Sequence, residues 1–264
     1  MQRNVRLLIA YDGSNYHGWQ RQQQGEATIQ ATLEGSLSQI CSAPITLHGA
    51  GRTDAGVHAL GMIAHFHTDS TAPLVAFYKG LNALLPTDIR VLKAEEARLG
   101  FHSRFSACAK TYRYDFFTGA VQIPTTRLYR AHYPGKFNPR LLQTAFGHLL
   151  GTHDFSSFER SGSRDKEVVT GRGAVRTLFH VSCTPTLGTA DQWSLRFTGD
   201  GFLRQMVRIL AGTLISIGQE KRKADAMQAI ITAQTRTAAG PTAPACGLFL
   251  EQIHYPQPCL CSRS

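Results

Sequence analysis

The sequence has no apolar run approaching the length of a membrane span. Its longest early run, Val5 to Ala10, is too short for the core of a secretory signal and runs into Asp12 and Gly13. Disulfide scaffolding is equally unsupported. The six cysteines (41, 108, 183, 246, 259 and 261) form no C-x-x-C pair, and the closest two sit in a polar tail as C-x-C. That usage fits reduced thiols, so the expected compartment is the cytoplasm. The chain also lacks a P-loop, a G-x-G-x-x-G fingerprint and a G-x-S-x-G elbow. Nucleotide-driven, dinucleotide-dependent and serine-hydrolase chemistry therefore have no support.

Acidic residues are scarce, 18 against 28 Lys and Arg, giving a formal charge of +10. A positive field attracts polyanions and raises their encounter rate, so nucleic acid is the first partner to consider. With 42% hydrophobic residues and 264 positions, the chain can bury one large core or two of ordinary size.

The apolar pattern mixes strands and helices. Val5–Tyr11 reads as a strand ended by Asp12, Gly13, Ser14 and Asn15. A helix follows over 28–41, with Ile29, Leu33, Leu37 and Ile40 at helical spacing and Thr28 as its cap. Strands are expected at Ile45–Ala50, Met62–Thr68 and Ile89–Ala94, with a helix at Leu74–Leu85 stopped by Pro86. A strand pair, Phe101–Ala107 and Tyr112–Phe117, comes next. Beyond it the pattern predicts helices at Pro139–Leu150 and Phe202–Ile217, with strands at Ala174–Ser182, Trp193–Gly199 and Gly247–Tyr255. This is an α+β pattern, antiparallel sheets covered by helices, in two halves, residues 1–107 and 108–264. Ser161–Gly173 has the composition of a mobile surface loop and Pro256–Ser264 that of a frayed tail.

Three features carry chemistry. In Gly51-Arg52-Thr53-Asp54-Ala55-Gly56-Val57-His58, Asp54 is the only carboxylate between Glu34 and Asp69. Such an Asp either satisfies its own turn or attacks a sugar carbon as a nucleophile, in which case a nearby cation must keep it ionised. Along Thr111–Phe116, Tyr112, Tyr114 and Phe116 share one strand face, either as core or as a platform for an unpaired base, with Arg104, Lys110 and Arg113 near enough to track phosphates. On the expected helix from Phe202, Arg204 and Arg208 lie four apart, and Arg208 falls between Val207 and Ile209. A partly buried Arg calls for a carboxylate, whereas a snorkelling one reaches solvent.

With these motifs in order, the chain resembles the tRNA pseudouridine synthase A family over almost its whole length. The resemblance rests on Tyr11-Asp12-Gly13, Gly18-Trp19-Gln20, Gly51 to His58, Gly80-Leu81-Asn82 with Leu85-Pro86, and Phe101-His102 with Arg104-Phe105. It continues through Tyr112 with Tyr114, His153-Asp154-Phe155, Gly201-Phe202-Leu203, Met206-Val207-Arg208 and Gly247-Leu248. The resemblance implies an isomerase converting uridines 38, 39 and 40 of the tRNA anticodon arm to pseudouridine. It implies a cytoplasmic homodimer that needs no cofactor and no metal, with a catalytic cleft between two similar halves. By the same likeness Asp54 is the nucleophile and Arg208 its paired cation. Tyr112 packs against the target base, Arg52 flips or holds the nucleotide, and Leu248 lines the base pocket. Met62, Gln205, Ile209 and Lys110 depart from the family's common residues Gln, His, Asn and Arg.

Two other readings compete. A non-catalytic RNA-binding module has the same charge and aromatic strand but no use for Asp54. A metallohydrolase is suggested by His48, His58, His65 and His67, although Cys or Glu ligands at zinc-like intervals are lacking.

Overall fold

The computed structural model describes residues 2–22, 25–163, 171–186 and 188–256. Most of the expected mobile loop (164–170) and of the expected tail (257–264) therefore lies outside the described residues. The chain divides into two compact units. The first runs to Lys110 and resumes at Phe249, and the second is Thr111–Leu248. Among the described residues no helix is long and apolar enough to cross a membrane.

In the first unit the strand β1 (Arg3–Tyr11) buries Val5, Leu7, Ile9 and Tyr11 along one face, the period-2 signal visible in the sequence. The helix α1 (Ile29–Cys41) begins where expected, with the Thr28 hydroxyl accepting from the Ala31 N–H. It is followed by a two-residue strand β2 (His48–Gly49) and by β3 (His58–Thr68). Residues 74–84 form one helical stretch, π-type over Ala76–Gly80 and ending as α2 (Leu81–Leu84), before β4 (Ile89–Ala97).

Antiparallel pairing puts β1 between β4 and β3, and β2 also pairs with β3. The face of β3 that carries Phe66 packs edge-on against Phe77 of the helical stretch, 5.3 Å between rings. Helices thus cover this face. On the opposite face Arg6 of β1 lies under the rings of Phe101 and Tyr255, 5.7 and 5.0 Å away.

Three expectations fail in this unit, the first being the strand expected over Ile45–Ala50, which is only the two residues of β2. Phe101–Ala107 is a compact turn, not a strand. Its alternation mimics period 2, but side chains satisfy its backbone: the His102 N–H ends on Ser106 Oγ and the Arg104 N–H on His102 Nδ1. The strand expected from Met62 instead starts at His58, because the distant Phe249 and Leu250 pair in parallel with His58 and Ala59. No local pattern reports such a partner.

The second unit takes up β5 (Ala109–Phe117) from Thr111. Its later elements are β6 (Ala131–His132), α3 (Leu142–Leu149), β7 (Gly151–Asp154), β8 (Val175–Pro185), β9 (Gln192–Gly199), α4 (Met206–Gly218) and α5 (Ala226–Ala233). The final strand, β10 (Leu248–His254), begins at the last residue of this unit and continues in the first. The sheet runs β5, β9, β8, β7, with antiparallel registers from β7 through β9. Helix α4 is buried all round except at Arg208 and Ser216, as befits a helix inside a core.

The expected helix from Phe202 starts only at Met206. Gln205 takes a left-handed conformation, φ 61°, so Phe202, Leu203 and Arg204 precede the helix, and Arg204 does not share a helical face with Arg208. A residue at positive φ interrupts helical geometry whatever the apolar spacing around it.

Candidate active site

The Asp54 loop is held by its backbone. The Asp54 carbonyl accepts the Val57 N–H at 3.2 Å, and Gly56 sits at φ 73° in the third position of that turn, where a positive φ selects glycine. The turn is thus closed by the backbone carbonyl of Asp54. On either side the loop is pinned. Thr53 is buried, its carbonyl accepts the Trp19 N–H at 3.1 Å, and its hydroxyl meets the Tyr11 hydroxyl at 2.8 Å. Gly56 donates to the Tyr16 carbonyl at 3.3 Å, and Val57 is buried. Asp54 stands half-buried between these anchors, and Arg52 is exposed.

Sequence motifs that look separate are one assembly here. A Cβ on Gly13 would lie 2.0 Å from the Val57 carbonyl oxygen, and one on Gly18 2.6 Å from that of Thr53. Both glycines therefore let the first strand's loop close onto the Asp54 loop, backbone against backbone. The Gly13 N–H also ends on His58 Nδ1 at 3.1 Å, and the His58 ring stacks on Phe249, 4.8 Å away. Lys110 fixes the start of the loop by donating to the Ala50 carbonyl at 2.7 Å. Gly13→Ala should displace the turn by a sizeable fraction of an ångström and lower turnover by about 10²-fold, since reacting groups tolerate little misplacement. Single-turnover kinetics on a variant whose circular dichroism is normal tests this; turnover within twofold of the parent contradicts it.

The remaining expected site residues lie in the second unit. Tyr112 is 8% exposed and meets Phe202 edge-on at 5.0 Å. Farther along the strand, Tyr114 and Phe116 are fully buried. Tyr114 donates to the Pro244 carbonyl at 3.0 Å, and Phe116 packs edge-on against Phe137 at 5.1 Å. The aromatic face is therefore core along Tyr114 and Phe116, and Tyr112 is less completely buried than either. Arg113 does not reach out for phosphate through its Nε, which lies 3.1 Å from Asp115 Oδ2.

Arg208 is half-buried, and its Nε donates to the Ala243 carbonyl at 2.7 Å. Small residues bring that carbonyl close. A Cβ on Gly212 would fall 2.0 Å from the Pro241 oxygen, and the Gly240 N–H reaches Thr213 Oγ1 at 2.9 Å. The segment 240–248 thus links Arg208, through Ala243, to Tyr114 and to the buried Leu248. Burial pushes the Tyr114 hydroxyl well up, and it also raises the neighbouring Cys246 thiol. Sequence reasoning missed the Ala243 carbonyl and the Tyr11–Thr53 hydroxyl pair. The Gly240-Pro241 turn and the buried-strand position of Tyr11 were the only signals for them.

The histidines do not assemble as a metal set. His58 lies apart at Gly13, and the cluster is His48, His65, His67 and His102, with His65 ring centroids 5.2, 5.7 and 4.7 Å from the others. Among the described residues no group of three or more His, Cys, Asp or Glu is placed to hold a metal ion. Burial first, then the charges of His102, His48 and His67, push His65 down to about 4 from its ordinary 6.5. A depressed histidine stays neutral in the folded protein while the unfolded chain takes up a proton, so stability is full above pH 6.5 and falls as pH drops toward 4. His65→Gln, which keeps an acceptor for the Ser103 N–H, should flatten that acid limb in a melting series; an unchanged limb contradicts the assignment.

A fold of two α+β units, with a glycine-walled aspartate loop in one and a buried helix presenting an arginine in the other, agrees with the match to known proteins. A family model described as tRNA pseudouridine synthase covers residues 7–106 and 145–256. Pseudouridine synthases are isomerases. The protein named tRNA pseudouridine synthase A 1 of Desulfotalea psychrophila is 46% identical over 253 residues, 96% of this chain and 100% of that protein. Proteins named tRNA pseudouridine synthase A from Geotalea uraniireducens and Acetivibrio thermocellus are 43% and 41% identical, each over 96% of this chain and all of their own length. The chain belongs to the tRNA pseudouridine synthase A family.

Proposed function

We propose that this chain isomerises uridine to pseudouridine at positions 38, 39 and 40 of the tRNA anticodon arm, with Asp54 as the nucleophile. The observation that carries the reading is the Asp54 loop, which holds the half-buried Asp54 carboxylate on a turn anchored by Thr53, Val57 and Gly56. The positive charge of +10 suits the polyanionic substrate.

The target uridine must leave its stack, which costs a few kcal/mol. Tyr112 offsets part of this by packing on the base, Arg52 holds the nucleotide from its exposed position, and Leu248 bounds the uracil. The Asp54 carboxylate attacks C1′ of the sugar or C6 of the base, and the N1–C1′ bond breaks. The held uracil turns, C5 bonds to C1′ as the carboxylate is released, the C5 proton leaves to solvent, and N1 takes up a proton from solvent. Atoms balance without a cofactor or metal. Arg208 is the cation assigned to pair with the nucleophile. Holding the detached uracil is a problem of proximity, solved by the pocket walls. The enzyme acts as a homodimer in the cytoplasm.

The chemistry gives its own readout. Tritium at C5 of the anticodon-arm uridines should pass to water with one release per pseudouridine formed. A protein that binds tRNA but releases none is instead an RNA-binding module.

A further inference from the structure

The turn after β4 is built to hold two side chains out to solvent. Phe105 is 77% exposed, more than any other aromatic ring among the described residues. Its ring lies 4.3 Å from that of His102, tilted by 32°, and the Arg104 guanidinium carbon is 5.8 Å from its centroid. The backbone beneath is pinned at several points. The Arg104 and Phe105 N–H groups end on His102 Nδ1 at 3.1 and 3.3 Å, and Ser106 donates back to the His102 carbonyl at 2.9 Å. Ser103, fully buried, receives the Tyr255 hydroxyl on its carbonyl at 2.7 Å. Its own N–H reaches His65 Nδ1 at 3.2 Å, and its hydroxyl donates to the His48 carbonyl at 2.6 Å.

His48 lies in β2, which leads directly into the Asp54 loop, so the turn is braced on the strand that feeds the reactive segment. The Phe105 ring, 77% exposed, adds little to the buried core, and the hydrogen bonds of the turn hold it beside the Arg104 guanidinium. A flat ring beside a guanidinium matches a nucleotide, the base stacking on the ring and the phosphate meeting the cation. We propose that Phe105 and Arg104 form a second RNA contact that takes an unpaired nucleotide of tRNA flanking the one that reacts. This rests on the reading of tRNA as the substrate and adds a subsite to it.

The test is equilibrium binding of an unmodified tRNA transcript across a salt series, with single-turnover pseudouridine formation at saturating tRNA. Phe105→Ala should raise Kd at least about fivefold, and Phe105→Trp should restore it. Arg104→Ala should weaken binding and lower the slope of log K against log salt by about one. Rates at saturation should stay within about twofold, because neither side chain touches the reacting atoms. Phe105→Ala with unchanged Kd, or failure of Trp to restore binding, overturns the proposal. So does a shift of oligomeric state in the ultracentrifuge, which makes the ring a subunit contact. A wild-type protein that binds tRNA without forming pseudouridine contradicts the proposed reaction, yet leaves the Kd comparison to decide this subsite.

Discussion

Asp54→Asn should bind tRNA within a few-fold of the parent and turn over at least about 10³ times more slowly. Two features make the expectation specific. The amide has nearly the size of the carboxylate, and the turn is closed by the residue's backbone carbonyl to Val57, which the substitution keeps. The loop's other anchors, Thr53 on Tyr11 and Trp19 and Gly56 on Tyr16, do not involve the side chain at all. What disappears is the carboxylate proposed as the nucleophile. Single-turnover release of C5 tritium, alongside filter binding of the same tRNA, separates the two quantities. A rate within tenfold of the parent contradicts the role given to Asp54.

Arg208→Met should fold and bind tRNA, and lose about 10²–10³-fold in turnover, the usual cost of removing charge stabilisation from a reaction centre. Met preserves an unbranched stem at a half-buried position of α4, between the buried Val207 and Ile209 in the chain. The lost groups are the charge and the Nε donor to Ala243. Arg208→Lys restores charge without the planar fork, so it should recover part of the rate but not all. A loss confined to Kd, with the saturated rate intact, assigns Arg208 to binding alone and contradicts its pairing with the nucleophile.

Much of the fold was legible because its signals are local. The Thr28 cap, the alternation of Val5, Leu7 and Ile9, and the Pro86 stop each act within a few residues. Errors arose where distant chain decides. His58–Gly61 became strand because Phe249 and Leu250 arrive beside its start. Phe101–Ala107 became a turn because His65, His48 and Tyr255 supply partners for Ser103. The late start of α4 follows from the left-handed Gln205, which apolar spacing does not encode.

The site divides in the same way. Asp54 stood out as a lone acid between glycines, and family resemblance gave it a role. The Gly13–Val57 approach and the Ala243 carbonyl under Arg208 are tertiary facts that no motif spells out.

The most direct test of the central claim maps pseudouridine, by chemical labelling and primer extension, in an unmodified tRNA transcript with uridines at 38, 39 and 40. Incubation with the purified protein should place pseudouridine at those positions and leave uridines outside the anticodon arm unchanged. Tight binding with no pseudouridine anywhere contradicts the account and leaves an RNA-binding protein in its place.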